Sequence, residues 1–243
     1  MKNYRINAVM AGGLYFLGTA FGIASAVVGG EVISSSVTSK PIDQDLLEVV
    51  AADAARITGG SFLILMMGIS LVAMTVFLYP IFRKDSEELA TGMLLFRGAL
   101  EGTYYLISAL GFLTLVLVGN EYVATGSNAT ALQSIGKVFY QLQSVIGPVG
   151  TMMFLIGTTC LYVSFYRTKL IPHWLTVWGL IGTVPYMAYA LLHFFNMDNG
   201  IGIYLQMVLA PQELVMGLWL VIKGFDQGVI DKLMNGKHSL QTS

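Results

Sequence analysis

Charge is scarce in this chain of 243 residues, because only 11% are Asp, Glu, Lys or Arg, against roughly a quarter in an ordinary soluble domain. So small a charged fraction, with 13 basic and 14 acidic residues, excludes nucleic-acid binding by a basic domain. The net charge of −1 gives no further indication of partners. With 55% hydrophobic residues, the composition excludes a disordered chain and predicts an integral membrane protein whose main partner is the lipid bilayer.

Metal and cofactor signals are also missing. A single cysteine, Cys160, excludes a disulfide framework and a zinc site built on cysteines. The three histidines, His173, His193 and His238, are too dispersed to indicate a metal site. The chain contains neither a phosphate-binding glycine loop nor a His-Glu-x-x-His motif. We therefore expect no metal, no cofactor and no catalytic residue of the kind that soluble enzymes use.

Long uncharged stretches divide the chain into membrane spans. Residues 6–30, 57–82 and 138–166 contain no Asp, Glu, Lys or Arg, and each exceeds the roughly 20 residues that cross a bilayer core. A fourth stretch, 170–197, also lacks these charged residues and is interrupted only by two histidines. Two further apolar runs contain charged residues. The sequence predicts an all-α polytopic membrane protein, a bundle of six transmembrane helices in a domain over 1–225. These helices are expected near 7–29, 58–80, 92–118, 141–165, 174–195 and 200–222.

The basic residues of the loops predict the orientation. Nine share a side with the termini: Lys2, Arg5, Arg83, Lys84, Arg167, Lys169, Lys223, Lys232 and Lys237. The opposite side has three: Lys40, Arg56 and Lys137. Because an excess of Lys and Arg marks cytoplasmic loops, both termini are predicted to be cytoplasmic, with the protein in a bacterial inner membrane. The first apolar run is longer than a signal-peptide core of about 7–15 residues, so we expect it to stay as a helix.

Two segments outside the spans have their own patterns. The first outer loop contains an amphipathic segment over 41–57, with Asp43 as a helix cap. It is expected to lie on the membrane surface and cap the bundle, and a lid over a cavity is the alternative. Residues 226–243 are polar and predict a frayed cytoplasmic tail.

Three charged residues lie inside the predicted spans. Arg97 and Glu101 are four residues apart and share one helix face. From a rise of about 1.5 Å per residue, Glu101 lies about 13–14 Å deep and Glu213 about 15 Å deep. Charges inside a bilayer cost about 2.5–3.5 kcal/mol each and usually pair, so Arg97 is predicted to bridge Glu101 and Glu213. Both acids ionised would leave a net charge of −1, so one carboxyl is expected to hold a proton.

Polar and aromatic side chains near this cluster predict a pocket that opens outward above an ionic floor. The candidate lining residues are Tyr104 and Tyr105 on the third span, Gln143 on the fourth, Tyr186, Tyr189 and His193 on the fifth, and Gln206 on the sixth. Pro211 also frees the carbonyl of Met207 from its helical hydrogen bond. The alternative is that the charges only fasten helices together, that the tyrosines only pack, and that His193 only marks the membrane interface.

The sequence also resembles a known family. Residues 166–182, YRTKLIPHWLTVWGLIG, closely resemble the signature stretch of a bacterial integral-membrane family catalogued as domain-of-unknown-function family 4386. Three further stretches are similar to it: Tyr4-Arg5, the run from Phe96-Arg97 to Glu101-Gly102, and 211–225. His173 departs from the family pattern, which usually has arginine there. The resemblance implies a polytopic bacterial membrane protein and supplies no catalytic residues to carry over.

Three functions remain open at this point. The leading hypothesis is binding or transport of a small amphiphilic or cationic solute above Arg97, Glu101 and Glu213. The second is a non-catalytic membrane partner or sensor subunit whose ion cluster is structural. The third is an intramembrane lipid-modifying enzyme. It ranks last, because no nucleophile or metal constellation accompanies either acid. Gly18-x-x-x-Gly22 and Gly98-x-x-x-Gly102 are compatible with internal packing or with a homo-oligomer.

Overall fold

The computed structural model describes residues 4–38, 45–127, 129–195, 197 and 202–235. Throughout this described part the regular elements are helices and no strand occurs. Six of the helical segments are long and apolar enough to cross a membrane, which confirms the all-α, six-span prediction. They are Tyr4–Val28, Ala54–Phe82, Glu87–Ala124, Thr130–Thr168, His173–Phe194 and Tyr204–Ile222.

The spans and the shorter helices between them are numbered in chain order. The first two spans are α1 (Tyr4–Val28) and α4 (Ala54–Phe82), separated by α2 (Gly30–Thr38) and α3 (Leu46–Ala52). The third joins α5 (Glu87–Met93), a π-helical segment (Leu94–Leu100) and α6 (Glu101–Ala124). The fourth and fifth are α7 (Thr130–Thr168) and α8 (His173–Phe194). The sixth joins α9 (Gly202–Gln206) to α10 (Leu209–Ile222), and α11 (Gln227–Asn235) follows.

The six spans form a closed ring in chain order. Each packs against the next one along the chain, and α10 closes the ring by packing on both α8 and α1. In a ring of six, the third span therefore faces the sixth across the middle, and α1 faces α7. Side chains on these opposite helices can meet only at the centre of the bundle.

The described chain begins and ends at the same end of the bundle. The guanidinium of Arg5 donates hydrogen bonds of 2.8 Å to the carbonyls of Val221 and Ile222, where α10 ends. We call this the terminal end and the opposite one the distal end. The assignment of the terminal end to the cytoplasm stays a prediction from the distribution of Lys and Arg.

The segment between the first two spans differs from the amphipathic helix expected over 41–57. Asp43 lies outside the described residues, and Asp45 caps α3, with its carboxylate accepting a 3.1 Å hydrogen bond from the Leu47 amide. The helix ends at Ala52, and Ile57 belongs to α4. Leu47 and Val50 are buried in a hydrophobic cluster at the distal end that also contains residues of α6. The helix α3 is therefore packed into the bundle.

The segment expected as a frayed tail is helical in its described part. Ile230 of α11 is fully buried, and the Asp226 amide donates a 2.9 Å hydrogen bond to the Leu170 carbonyl. The carboxylate of Asp226 accepts from the Val229 amide at 3.0 Å, which caps the helix. Although the segment is polar in overall composition, one face of α11 is apolar and packs on the terminal end of the bundle. Residues 236–243 lie outside the described part.

Asp45 is also the centre of a polar network at the distal end. Its Oδ2 accepts hydrogen bonds from the Tyr122 hydroxyl at 3.0 Å and from the Gln133 amide at 2.9 Å. Desolvation acts to raise the pKa of Asp45, but these bonds and that from the Leu47 amide outweigh it and hold the pKa below its ordinary value. The ionised carboxylate therefore ties α3 to α6 and α7.

This network predicts a loss of stability in acid. Because the pKa of Asp45 is lower in the folded protein than in the unfolded chain, its stabilisation is present above about pH 4 and is lost as the pH falls further. Melting temperatures in detergent from pH 3 to pH 6 should show this loss in the wild type and a weaker one in Asp45→Asn. The exposed acid Glu121 provides the control, and Glu121→Gln should follow the wild type. Identical profiles for all three proteins would contradict the prediction.

Candidate functional site

Arg97 lies between the two intramembrane carboxylates at the centre of the ring. Its Nη1 donates to both oxygens of Glu101, at 2.9 and 3.0 Å, and its Nη2 donates to Oε1 of Glu213 at 3.2 Å. The side chain of Arg97 is 2% exposed and that of Glu101 is 0% exposed, whereas that of Glu213 is 11% exposed. The ion cluster of Arg97, Glu101 and Glu213 therefore joins the third span to the opposite sixth span.

The backbone around Arg97 is π-helical and lies unusually close to α7. A Cβ atom added at Gly157 would lie 2.8 Å from Cα of Arg97, so only glycine allows this approach. On the other side, a Cβ atom at Gly98 would lie 2.8 Å from Oγ1 of Thr75 on α4. π-Helical turns occur often at functional sites. Here the π-helical turn carries the arginine, wedged between two neighbouring spans.

Neutral hydroxyl groups add to the hydrogen bonding of both carboxylates. Tyr105 donates to Oε1 of Glu101 at 2.9 Å. Tyr15 of α1 donates to Oε1 of Glu213 at 2.9 Å, and Thr19 donates to Oε2 at 3.2 Å. Because a carboxylate accepts up to about four hydrogen bonds, one arginine cannot satisfy two buried carboxylates alone. The three hydroxyls make up part of the difference.

A second layer of polar contacts extends the cluster to α7 and α8. The hydroxyl of Tyr162 lies 3.3 Å from that of Tyr15 and donates to the side-chain carbonyl of Gln212. The amide nitrogen of Gln212 donates to the Leu175 carbonyl at 2.9 Å. Five of the six spans thus contribute to one polar network in the middle of the bundle.

Aromatic rings cover the arginine. Its guanidinium carbon lies 4.4 Å from the ring centre of Phe154 and 5.3 Å from that of Tyr15. Nε of Arg97 is buried with no hydrogen-bond partner among the described residues. The interaction of a cation with aromatic faces, which strengthens when water is excluded, offsets part of the desolvation of this group.

A cavity of about 380 Å³ lies on the distal side of the ion cluster. Arg97 and Glu213 form part of its wall, together with Thr19, Phe154 and Leu209, whereas Glu101 does not reach it. A second cavity of about 180 Å³ continues toward the distal end and shares part of the lining of the first. The shared residues are Gly22, Met67, Tyr104, Tyr105, Thr151, Tyr186 and Gln206.

The structure brings the seven candidate lining residues to these two cavities. Those that line both are Tyr104, Tyr105, Tyr186 and Gln206, and those that line only the distal one are Gln143, Tyr189 and His193. Some of these groups bond one another, since the Tyr189 hydroxyl and Nδ1 of His193 are 2.9 Å apart. Gln143 is tied to Ser108, whose hydroxyl donates to its side-chain carbonyl at 2.8 Å. The polar surface of the cavities is therefore held in place by local hydrogen bonds.

Sequence reasoning missed four members of the network: Tyr15, Thr19, Tyr162 and Gln212. None carries a charge, so none stands out in an apolar run as Arg97 and Glu213 do. One available signal was numerical, because the acceptor capacity of two carboxylates exceeds what one arginine can donate. That count predicts further donors without saying which helices supply them.

Comparison with known proteins identifies the family of the chain. A family model described as Domain of unknown function (DUF4386) matches residues 10–224. The chain belongs to the DUF4386 family. No curated protein and no solved structure shows significant similarity to it. The matched region of this DUF4386 protein includes the six spans almost completely and all three residues of the ion cluster.

The ion cluster of the DUF4386 protein predicts strong coupling among its three charges. Arg97→Leu leaves two buried carboxylates without their cation, which typically costs about 3–5 kcal/mol. The triple variant Arg97→Leu/Glu101→Gln/Glu213→Gln has no unpaired charge, so it should unfold at a higher denaturant concentration than Arg97→Leu alone. Unfolding in mixed detergent micelles measures both. A triple variant less stable than Arg97→Leu would contradict the coupling.

The close approach at Gly157 predicts a second effect on stability. In Gly157→Ala the new methyl group would meet backbone atoms of Arg97, which cannot move cheaply, so overpacking should cost about 1–3 kcal/mol. Gly13→Ala on α1 is the matched control, because its new methyl group would lie 4.0 Å from its nearest neighbour, Cγ2 of Val221. Thermal unfolding should show a lower midpoint for Gly157→Ala and an unchanged or higher one for Gly13→Ala. Equal midpoints would argue against tight packing at Arg97.

Proposed function

We propose that this protein binds a small amphiphilic cation in the cavity above the ion cluster, with Glu213 as the anchoring carboxylate. The observation that carries the proposal is that the two acids differ in their contacts with Arg97 and in their access to the cavity. Glu101 is fully buried and receives both hydrogen bonds of Arg97 Nη1, whereas Glu213 receives one from Nη2 and lines the cavity. The less compensated carboxylate is thus the one that a ligand can reach.

Charge balance favours a cationic ligand. With both acids ionised, one arginine leaves an excess of one negative charge inside the membrane, where an isolated charge is costly. A bound cation, or a proton in its absence, would neutralise that excess. The aromatic residues of the wall, Phe154, Tyr104, Tyr105 and Tyr186, suit an organic ammonium group, because cations bind to aromatic faces.

The shape of the cavity favours an amphiphile. Its volume of about 380 Å³ falls at the lower end of the range of about 300–1,000 Å³ for small-molecule pockets. Its wall also includes Ile23 of α1 and Ala210 of α10, both of which are exposed. An opening between these helices would admit an apolar group from the lipid while the charged group reaches Glu213.

Movement of the solute across the membrane is the extended form of the proposal. The sixth span is interrupted at 207–208, next to Gln206 and Leu209 of the cavity wall. Interrupted helices at mid-membrane carry the substrate sites of many transporters. With the termini in the cytoplasm of a bacterial cell, as the Lys and Arg distribution predicts, the cavities would open toward the outer face.

A structural role for the cluster is the second candidate. It is favoured by the burial of Arg97 and Glu101 and by the hydrogen bonds that already engage both acids. In this case the protein would be a non-catalytic partner or sensor subunit, and the ion cluster would only fasten opposite helices.

Calorimetric titration of the full chain in lipid nanodiscs can separate these two functions. The probe is benzyltrimethylammonium, compared with its uncharged isostere neopentylbenzene. The wild type should bind the cation and not the isostere, and Glu213→Gln should weaken binding at least about ten-fold, since it removes the anchoring charge. Glu121→Gln, which removes an exposed acid outside the cavities, is the control and should bind like the wild type. Equal affinities of Glu213→Gln and the wild type for the cation would contradict the proposed binding site and favour the structural role of the cluster.

A further inference from the structure

A third cavity lies at the terminal end of the bundle, whereas the two cavities described above lie on the distal side of the ion cluster. It has a volume of about 600 Å³ and is formed by the start of α1, the end of α4 and the described end of α11. Tyr4 and Asn7 line it from α1, and Met234 lines it from α11. Because α1 begins and α4 ends here, the cavity sits at the boundary between the membrane and water.

Two cations line this cavity, and no described residue is their acidic partner. Arg83 and Lys84 both line it and both are exposed. Within the ranges that the structure describes, neither lies within 4.0 Å of a carboxylate. The adjacent Asp85 is paired with Arg167 at 2.9 Å. Arg83 lies over the ring of Tyr79, with 5.7 Å between its guanidinium carbon and the ring centre. Two neighbouring positive charges are therefore available to an anion.

Most of the remaining cavity wall is apolar, and part of it is exposed. Ile6 is 57% exposed and Pro80 is exposed beside it on α4. A soluble anion would gain nothing from these side chains, whereas an acyl chain could lie along them. Adjacent cations and exposed apolar residues at the membrane boundary match the two parts of one molecule, a phosphate headgroup and its hydrocarbon chain.

We propose that this cavity binds an anionic phospholipid, with Arg83 and Lys84 on the phosphate and with Ile6 and Pro80 along the first part of an acyl chain. The contact of Met234 with the cavity makes α11 one wall of the site, so a bound lipid would also hold α11 against the bundle. This lipid site is independent of the cationic ligand proposed for the ion cluster, since the terminal cavity shares no lining residue with either of the cavities on the distal side of that cluster.

Binding of short-chain phosphatidylglycerol to the full chain in neutral detergent, measured by native mass spectrometry, tests the lipid site. Arg83→Gln/Lys84→Gln should bind it about thirty-fold more weakly than the wild type, as expected for the loss of two cations at the membrane surface. The charge-retaining variant Arg83→Lys/Lys84→Arg should keep the affinity to within a few-fold, which guards against misfolding as the cause. The matched control is Lys223→Gln/Lys232→Gln, because it removes two exposed cations of the same end that do not line the cavity.

Three results would overturn the proposal. Equal losses in the double variant and in the matched control would mean general attraction to the basic end. Equal affinities for phosphatidylglycerol and phosphatidylcholine would exclude selection by charge. Binding of glycerol 3-phosphate as tight as that of the lipid would identify a site for a soluble phosphate. None of these results would bear on the cationic ligand at Glu213, which has its own probe and variant.

Discussion

The burial of one arginine in the middle of the bundle organises this protein. A guanidinium is always charged, so Arg97 can lie within apolar surroundings only if acids and aromatic rings compensate its charge. Its two carboxylate partners come from opposite members of the ring, Glu101 on the third span and Glu213 on the sixth. Meeting that requirement fixes the rotation of both helices and brings their polar faces to the centre. Neighbouring polar groups are carried inward with them. Tyr105 donates to Glu101 on its own span, whereas Gln212 finds its partners on α7 and α8. The hydroxyl donors from α1 bond Glu213.

The same requirement leaves an unequal pair of acids. One cation shared by two carboxylates cannot neutralise both, and the geometry assigns the tighter pairing to the acid that is fully buried. Glu213 then depends on the neutral donors Tyr15 and Thr19, and it is the acid beside the cavity. A cluster whose only purpose was to fasten helices would gain nothing from leaving its less compensated acid next to open volume. This asymmetry connects the packing of the bundle to the proposed binding of a cation.

Part of this arrangement could be predicted from the sequence, and the limits have physical causes. Charges are conspicuous in apolar runs, and a regular rise per residue places Glu101 and Glu213 at one depth. The number of spans, six, could also be predicted from the apolar runs themselves. The π-helical turn at Arg97 could not be predicted, because no local pattern marks it, and Gly157, which packs against it, lies on another helix. Tyr15 and Tyr162 were missed because a tyrosine in an apolar helix packs well with or without a hydrogen bond. The N-cap at Asp45 and the buried Ile230 show that loop helices are decided by tertiary contacts, which local pattern cannot reveal.

The terminal side of the ion cluster is closed by packed side chains. Leu78, Phe165 and Leu220 are buried there in one apolar core, so the described structure contains a cavity that ends at the cluster and no passage beyond it. A cation that approached Glu213 would compete with Nη2 of Arg97 for the negative charge of the same carboxylate. Occupation of the cavity would then weaken the ion pair of Arg97 with Glu213, which joins the third and sixth spans, while the contact of Arg97 with Glu101 remained. Because a ligand can shift a conformational equilibrium only through different affinities for its two states, this competition is the physical means by which binding could loosen the ring where α9 and α10 are already interrupted.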